Sequence, residues 1–146
     1  MALIEGDSYH PPANIEKMSS GHPLTDEDRR PWLETLAGLV ADQRAAGRTA
    51  VLACSALRRA YRDILRGDIP PDEVFFVHLH ADFDVLDARM RARDHFMPPA
   101  LLQSQFDTLE PLEPDETGVL VDVALSVDEV MDQVREAIDN WRSARG

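Results

Sequence analysis

Three groups of residues in the sequence have the types and spacing needed for chemistry on a small charged substrate. The first group contains Asp7 and His10, which follow the apolar pair Leu3-Ile4. A carboxylate directly after a buried strand can accept a proton from a substrate hydroxyl or hold Mg²⁺ through water. A nearby imidazole can hydrogen-bond a polyol. The same residues also fit a strand end followed by an Asx-type turn, so this pattern alone leaves both interpretations open.

The second group is basic and lies in the middle of the chain. Arg58 and Arg62 are four residues apart, so they share one face of a helix predicted to run from a Ser55 cap to about Arg66. Together they could bind a carboxylate, and the amino end of the helix would also attract an anion. The alternative is a solvated basic face. Cys54 has no histidine or second cysteine placed beside it for catalysis, and we interpret it as a small buried residue.

The third group, Arg89 and Arg93, also has four-residue spacing and precedes a proline-rich segment. Arginines on a mobile segment commonly bind phosphates during phosphoryl transfer, whereas the alternative is a charged helix end followed by a connecting loop. The histidines are scattered, and neither HExxH nor a paired Cys/His spacing occurs. No metal site is therefore predicted from protein ligands.

Short apolar strands alternate with amphipathic helices along the chain. This order predicts an α/β fold with a parallel sheet covered by helices on both faces. We expect Thr25 to cap a long helix that Gly47 ends, and Trp141 to anchor a C-terminal helix. In such folds the functional groups gather at the carboxyl ends of the strands, which is where Asp7 and Cys54 fall.

Length and composition narrow the class of protein. The 146 residues suit a single domain spanning 1–146. The net charge of −12 disfavours nucleic acid and anionic membranes as partners, and no apolar run approaches the roughly 20 residues that span a bilayer. Cys54 is the only cysteine, so an intrachain disulfide is excluded and a cytoplasmic location is expected.

Three long segments of the sequence resemble the gluconate kinase family, the small thermoresistant type of P-loop kinase that is related to shikimate kinase. The segments are GDSYHPPANIEKMSSGHPLTDEDRRPWL (6–33), VLACSALRRAYRDILR (51–66) and HFMPPALLQSQFDTLEPL (95–112). The resemblance implies transfer of the γ-phosphoryl group of ATP to the 6-hydroxyl of D-gluconate with Mg²⁺, and it is compatible with a homodimer.

The same resemblance implies roles for individual residues. It implies that Asp7 orients or deprotonates the substrate hydroxyl and that Arg89 and Arg93 bind the ATP phosphates. It also marks residues 89–112 as a lid and substrate-side segment. The side chains that it implies for sugar-acid binding are His10, Arg58, Arg62 and Gln105.

The sequence departs from the family at the phosphate-binding loop. The family begins with a strand, GxxxxGK[ST] and a helix, a unit on the order of 25–35 residues, and only then has the strand that here starts at Ala2. No GxxxxGK[ST] occurs in the 146 residues, and Lys17, the only lysine, lies in another context. We expect an interrupted sheet and a chain that, as written, is inactive or nearly so as a kinase.

Three hypotheses stay open at this point. The first is an active gluconate kinase whose coding sequence continues upstream of Met1. The second is a degenerate relative that binds a sugar acid without holding ATP phosphates. The third is a non-catalytic interaction protein that uses its acidic surface. A related kinase acting on another sugar acid also fits the same residues.

Overall fold

The computed structural model describes residues 2–92 and 99–145, which fall into two compact units. The first unit is built from the described parts of Met1–Asp68 and Phe96–Pro111, and the second from those of Ile69–His95 and Leu112–Gly146. The elements are, in chain order, β1 (Ala2–Glu5), a 3₁₀ turn (Gly6–Tyr9), α1 (Pro12–Ser19), α2 (Asp26–Ala45), β2 (Ala50–Ala53), α3 (Arg59–Arg66), a second 3₁₀ turn (Pro71–Glu73), β3 (Phe76–His80), α4 (Phe83–Ala92), α5 (Pro99–Thr108), β4 (Gly118–Asp122) and α6 (Val127–Arg145).

The strands pair in parallel, which confirms the predicted α/β class. β1 pairs with β2 in the first unit, where Glu5 is opposite Ala53, and β3 pairs with β4 in the second, where His80 is opposite Asp122. The described strands thus form two sheets of two strands each, in agreement with the expected interruption of the sheet. Because β1 and β2 are parallel and in register, the residues that follow them lie side by side.

Both ends of α2 are fixed by local signals that the sequence predicts. The Thr25 side chain accepts a hydrogen bond from the Asp28 backbone N–H at 3.1 Å, and the Asp28 carboxylate accepts one from the Thr25 N–H at 2.9 Å. This reciprocal capping box satisfies N–H groups that have no partner inside the helix. At the other end Gly47 has φ +73°, a conformation that costs glycine little.

The core of the first unit lies between α2, α3 and the two strands. Trp32, Leu33 and Leu36 of α2 are almost fully buried, and they pack with Ile4 of β1 and with residues of α3. Each large apolar side chain buried in this way contributes roughly 1.5–3 kcal/mol. The core therefore holds the end of β1, and the turn that follows it, against α2.

The second unit is organised around β4 and the end of α6. Val121 is fully buried. The Trp141 indole N–H donates to the Asp72 backbone carbonyl at 2.9 Å, and its ring lies 5.1 Å from that of Phe75. Trp141 is thus the packing anchor that the sequence predicts. Within the described residues, no helix combines the length and the apolar character needed to cross a membrane.

Candidate active site

The turn after β1 approaches β2 so closely that it requires glycine. A Cβ atom on Gly6 would lie 2.6 Å from the Ala53 carbonyl oxygen, closer than real Cβ atoms come to a backbone oxygen. The next residue, Asp7, has a side chain that is 76% exposed. The close contact at Gly6 thus presents a solvent-accessible carboxylate at the carboxyl end of a strand, as the sequence predicts.

The imidazole ring of His10, at the end of this turn, packs against the indole ring of Trp32. Its ring stacks on Trp32, with the ring centroids 4.0 Å apart and the planes inclined by 16°. The Trp32 indole N–H donates to the Gly6 carbonyl at 2.8 Å, so one buried side chain fixes both ends of the turn. The His10 Nε2 atom lies 4.0 Å from Asp7 Oδ1. The two residues singled out in the sequence are therefore neighbours in space.

The imidazole of His10 lies in an environment that disfavours its charged form. Burial is the largest cause and lowers the pKa of His10 below its ordinary value of 6.5; the Asp7 carboxylate raises it and the Arg29 guanidinium lowers it again. The ring is therefore mainly neutral near pH 7. A neutral imidazole offers one N–H donor and one acceptor nitrogen, whereas the protonated ring would offer two donors.

Helix α3 begins later than the sequence predicts. Its first residue is Arg59, and Arg58 at the N-cap position has extended backbone angles, so Ser55 does not cap this helix. The Arg59 backbone N–H instead donates to a Glu110 carboxylate oxygen at 2.9 Å. A carboxylate supplied 51 residues further along the chain therefore already occupies the amino end where we expected an anion site.

The later helix start separates the two arginines that we expected to act together. Arg58 is 43% exposed in its side chain, and its guanidinium donates to an Asp26 carboxylate oxygen at 3.3 Å. Arg62 is almost fully buried, and its guanidinium donates to three backbone carbonyls at 3.0–3.1 Å, those of Ala56, Glu110 and Pro111. In this structure Arg58 is reachable from solvent, whereas Arg62 links α3 to residues 110–111.

Arg58 belongs to a wider polar network around Tyr61. The buried Tyr61 hydroxyl donates to Asp26 and accepts a hydrogen bond from Arg29 at 2.9 Å. Burial, followed by the hydrogen bond to Asp26, raises the pKa of Tyr61. The Asp26 carboxylate thus receives a buried phenol on one oxygen and the exposed Arg58 on the other, an arrangement that restrains the Arg58 side chain.

The other predicted site residues are distributed over both units. Gln105 lies half-buried on α5, in the same unit as Asp7 and His10. Arg89 is exposed on α4 in the second unit. Arg93 lies outside the described residues. Within residues 2–92 and 99–145, no group of three or more His, Cys, Asp or Glu side chains is placed to hold a metal ion.

Sequence reasoning missed two residues that shape this site. Trp32 has helical spacing with Leu36, which by itself indicates a core residue, and neither its bond to Gly6 nor its stack with His10 follows from that spacing. Asn14, buried in α1, donates through its side-chain amide to the Asp28 backbone carbonyl at 2.9 Å and lies 3.4 Å from His10 Nδ1. The only local signal was that Asn14 follows His10 by four residues.

A parallel α/β fold in which a carboxylate and a histidine follow the first strand is compatible with a small-molecule phosphotransferase. The gluconokinase of Gluconobacter oxydans (strain 621H) is 48% identical over 131 residues, which are 89% of this chain and 72% of that protein. No protein-family model matches the chain.

Two solved structures are similar over nearly the whole chain. An unliganded sugar kinase from Janibacter sp. HTCC2649 aligns with a TM-score of 0.89 at 44% identity, covering 95% of this chain and 80% of that one. A gluconokinase from Sinorhizobium meliloti 1021 aligns with a TM-score of 0.82 at 45% identity, covering 98% of this chain and 78% of that one. The chain belongs to the gluconokinase family.

Proposed function

We propose that this protein acts in the phosphorylation of D-gluconate, with the 6-hydroxyl as acceptor and ATP, with Mg²⁺, as donor. The observation that carries the proposal is the exposed Asp7 carboxylate at the end of β1, next to a neutral His10 held by Trp32. Relatives named gluconokinase support the choice of substrate. The cytoplasmic location and the homodimer considered from the sequence stay predictions.

The position of Asp7 after β1 and its 76% exposure support a role as the group that receives the hydroxyl proton. A carboxylate in hydrogen-bond reach of the acceptor hydroxyl would orient it and take its proton as the new O–P bond forms. General-base catalysis of this kind contributes about 10²–10⁴-fold to a rate. His10, 4.0 Å away, would contact the same polyol.

Arg58 is the group we propose for the carboxylate of the sugar acid. Its side chain is 43% exposed and its partner Asp26 is 60% exposed, so a substrate carboxylate could replace Asp26 without uncovering a buried charge. Gln105 would contribute an amide to the polyol. A direct contact between Arg62 and gluconate stays a prediction, since the Arg62 guanidinium hydrogen-bonds to three backbone carbonyls.

The residues present do not fit the phosphates of ATP in the way they fit the sugar acid. The sequence has no GxxxxGK[ST], and the ammonium of Lys17 lies 2.6 Å from the Asp28 carboxylate, which holds it at the start of α2. Arg89, with Arg93, stays a proposed phosphate ligand. We therefore assign only the sugar-acid side of the reaction to these 146 residues.

Calorimetry with the 146-residue chain tests the assignment. D-gluconate should bind, whereas D-glucose, which lacks the carboxylate, should bind at least tenfold more weakly. Arg58→Met should weaken gluconate binding about ten- to hundredfold, because one charge-assisted hydrogen bond contributes roughly 1.5–3 kcal/mol. Arg30→Met is the matched control, since Arg30 also forms an exposed ion pair on this unit, with Glu34 at 3.7 Å.

Turnover and the upstream coding sequence together separate the proposed kinase from the sugar-acid-binding alternative. Formation of 6-phosphogluconate from ATP, followed by mass spectrometry and lost in Asp7→Asn, would support catalysis. Gluconate binding with no product and no ATP binding is expected of both hypotheses for these 146 residues, and in that case coding sequence upstream of Met1 that contains GxxxxGK[ST] would support the kinase, whereas a stop codon there would support the non-catalytic binding module. If neither gluconate nor ATP binds, both functions are wrong and an interaction role of the acidic surface becomes the leading hypothesis.

A further inference from the structure

The hydrogen bonds around Asn14 determine which nitrogen of His10 carries the proton. The Asn14 amide nitrogen lies 2.9 Å from the Asp28 backbone oxygen and 3.4 Å from His10 Nδ1. The amide cannot be turned round, because its oxygen would then face the Asp28 carbonyl oxygen with no hydrogen between them. Its two hydrogens therefore point to the two neighbours, so His10 Nδ1 is an acceptor.

Since Nδ1 accepts and the ring is neutral, the proton of His10 is on Nε2. That atom is 4.0 Å from Asp7 Oδ1, which is too long for a direct hydrogen bond. The His10 side chain is only 5% exposed, and its Nε2 atom is the one that faces the exposed Asp7 carboxylate. The site thus presents an N–H donor and a carboxylate acceptor side by side.

A donor and an acceptor at this separation suit one alcohol group. A hydroxyl oxygen can accept a hydrogen bond from Nε2–H while its own hydrogen is donated to the Asp7 carboxylate. With the proton on Nδ1 instead, His10 Nε2 and Asp7 would both be acceptors, and one hydroxyl hydrogen could satisfy only one of them. The position of a single proton therefore decides whether the pair matches a hydroxyl.

We propose that Asn14 is a positioning residue that holds His10 with its proton on Nε2, so that one substrate hydroxyl bridges His10 and Asp7. The proposal rests on the proposed sugar-acid function for the identity of the hydroxyl, but the state of His10 can be measured in the protein without ligand. Trp32 assists by fixing the plane of the ring. The charged groups around the ring are Asp7 and Arg29, and the Asn14 side chain adds no charge.

The test is the nitrogen chemistry of His10 in Asn14→Asp. A carboxylate at position 14 can only accept, so Nδ1 should become the donor in this variant. Nitrogen-15 chemical shifts of the imidazole report which nitrogen is protonated. In the wild-type chain we expect a protonated Nε2 and an unprotonated Nδ1. Asn140→Asp, the same chemical change at an exposed position of α6, should leave the His10 shifts unchanged.

Gluconate affinity supplies the second readout. Asn14→Asp should weaken binding about three- to tenfold, the effect of one lost hydrogen bond, while Asn140→Asp should not. A wild-type His10 protonated on Nδ1 would overturn the inference, even if no variant folds. A changed proton position without a change in affinity would also overturn it. Absence of gluconate binding by the wild type, with Nε2 protonated, would instead refute the proposed function.

Discussion

Arg62→Met removes a buried guanidinium that hydrogen-bonds to Ala56, just before α3, and joins α3 to residues 110–111 through two further bonds. The methionine keeps the apolar stem and much of the volume, so the main loss is polar. The carbonyl oxygens of Ala56, Glu110 and Pro111, which accept from Arg62 at 3.0–3.1 Å, lose that donor. Arg62 is only 3% exposed, so water cannot easily replace it.

The expected cost follows from those contacts. Hydrogen bonds from a charged donor contribute about 1.5–3 kcal/mol each, but three bonds from one guanidinium are not independent, so their energies do not simply add. We expect Arg62→Met to lower the free energy of unfolding by about 3–5 kcal/mol, because each buried carbonyl left without a donor costs roughly 1–3 kcal/mol and these costs do not simply add. Arg62→Lys, which can satisfy one or two of the carbonyls, should lose about 1–3 kcal/mol.

Urea unfolding followed by circular dichroism measures this effect, with Arg58→Met as the internal comparison. Arg58 carries the same chemistry four residues away, but its ion pair with Asp26 is exposed, so its replacement should change stability by less than about 1 kcal/mol. We therefore expect the two methionine variants to differ in which property they lose. Arg62→Met should lose stability, and Arg58→Met should lose gluconate affinity.

Equal stabilities for the two methionine variants would refute this reasoning. A second contrary result would be an Arg62→Lys variant that is fully stable but no longer binds gluconate. That outcome would make Arg62 a substrate ligand, as the resemblance to the family implies, and its backbone contacts would then be incidental.

Three further predictions concern the same unit. Gly6→Ala should destabilise the chain by about 1–3 kcal/mol in thermal unfolding, because its Cβ would lie 2.6 Å from the Ala53 oxygen; an unchanged melting temperature would contradict the close approach. The Lys17 contact and the Thr25 cap lower the pKa of Asp28 from 3.8 to about 2, so they stabilise the fold above about pH 4, and this stabilisation is lost as the pH falls towards 2. Lys17→Met should flatten that acid dependence, whereas an identical pH profile would show that the pair does not form. Burial raises the pKa of Cys54 to about 12, so iodoacetamide should label it far more slowly at pH 8 than an exposed thiol.

Local signals in the sequence were sufficient for the elements of the first unit, with one exception. Thr25 and Gly47 act through their own backbone and near neighbours, so the limits of α2 could be predicted. The start of α3 could not, because the group that caps it, Glu110, comes from 51 residues further along the chain. Ser55 was the nearest conventional cap, and only the fold shows that a distant carboxylate replaces it.

The residues of the candidate site also divide into those that the sequence predicts and those that it does not. Asp7 and His10 could be singled out because a carboxylate and an imidazole after a strand carry recognisable chemistry. The partners that orient His10 could not be predicted. Apolar spacing gives Trp32 only a core role, and an asparagine inside a helix has no sequence pattern that marks it as a partner of a site residue. The different environments of Arg58 and Arg62 depend on where α3 begins. Because the predicted start of α3 was wrong, the prediction that the two arginines share one helix face was wrong as well.

The double contact of Trp32 has a consequence for how this protein can be altered. One side chain both fills the core and supports the turn that carries Asp7 and His10. Changes that repack the core around it will also tilt the imidazole and shift the Gly6 carbonyl. Thermal stability and the geometry of the turn that carries Asp7 and His10 are therefore not independent traits in this chain, and selection for either one will constrain the residues accepted at position 32.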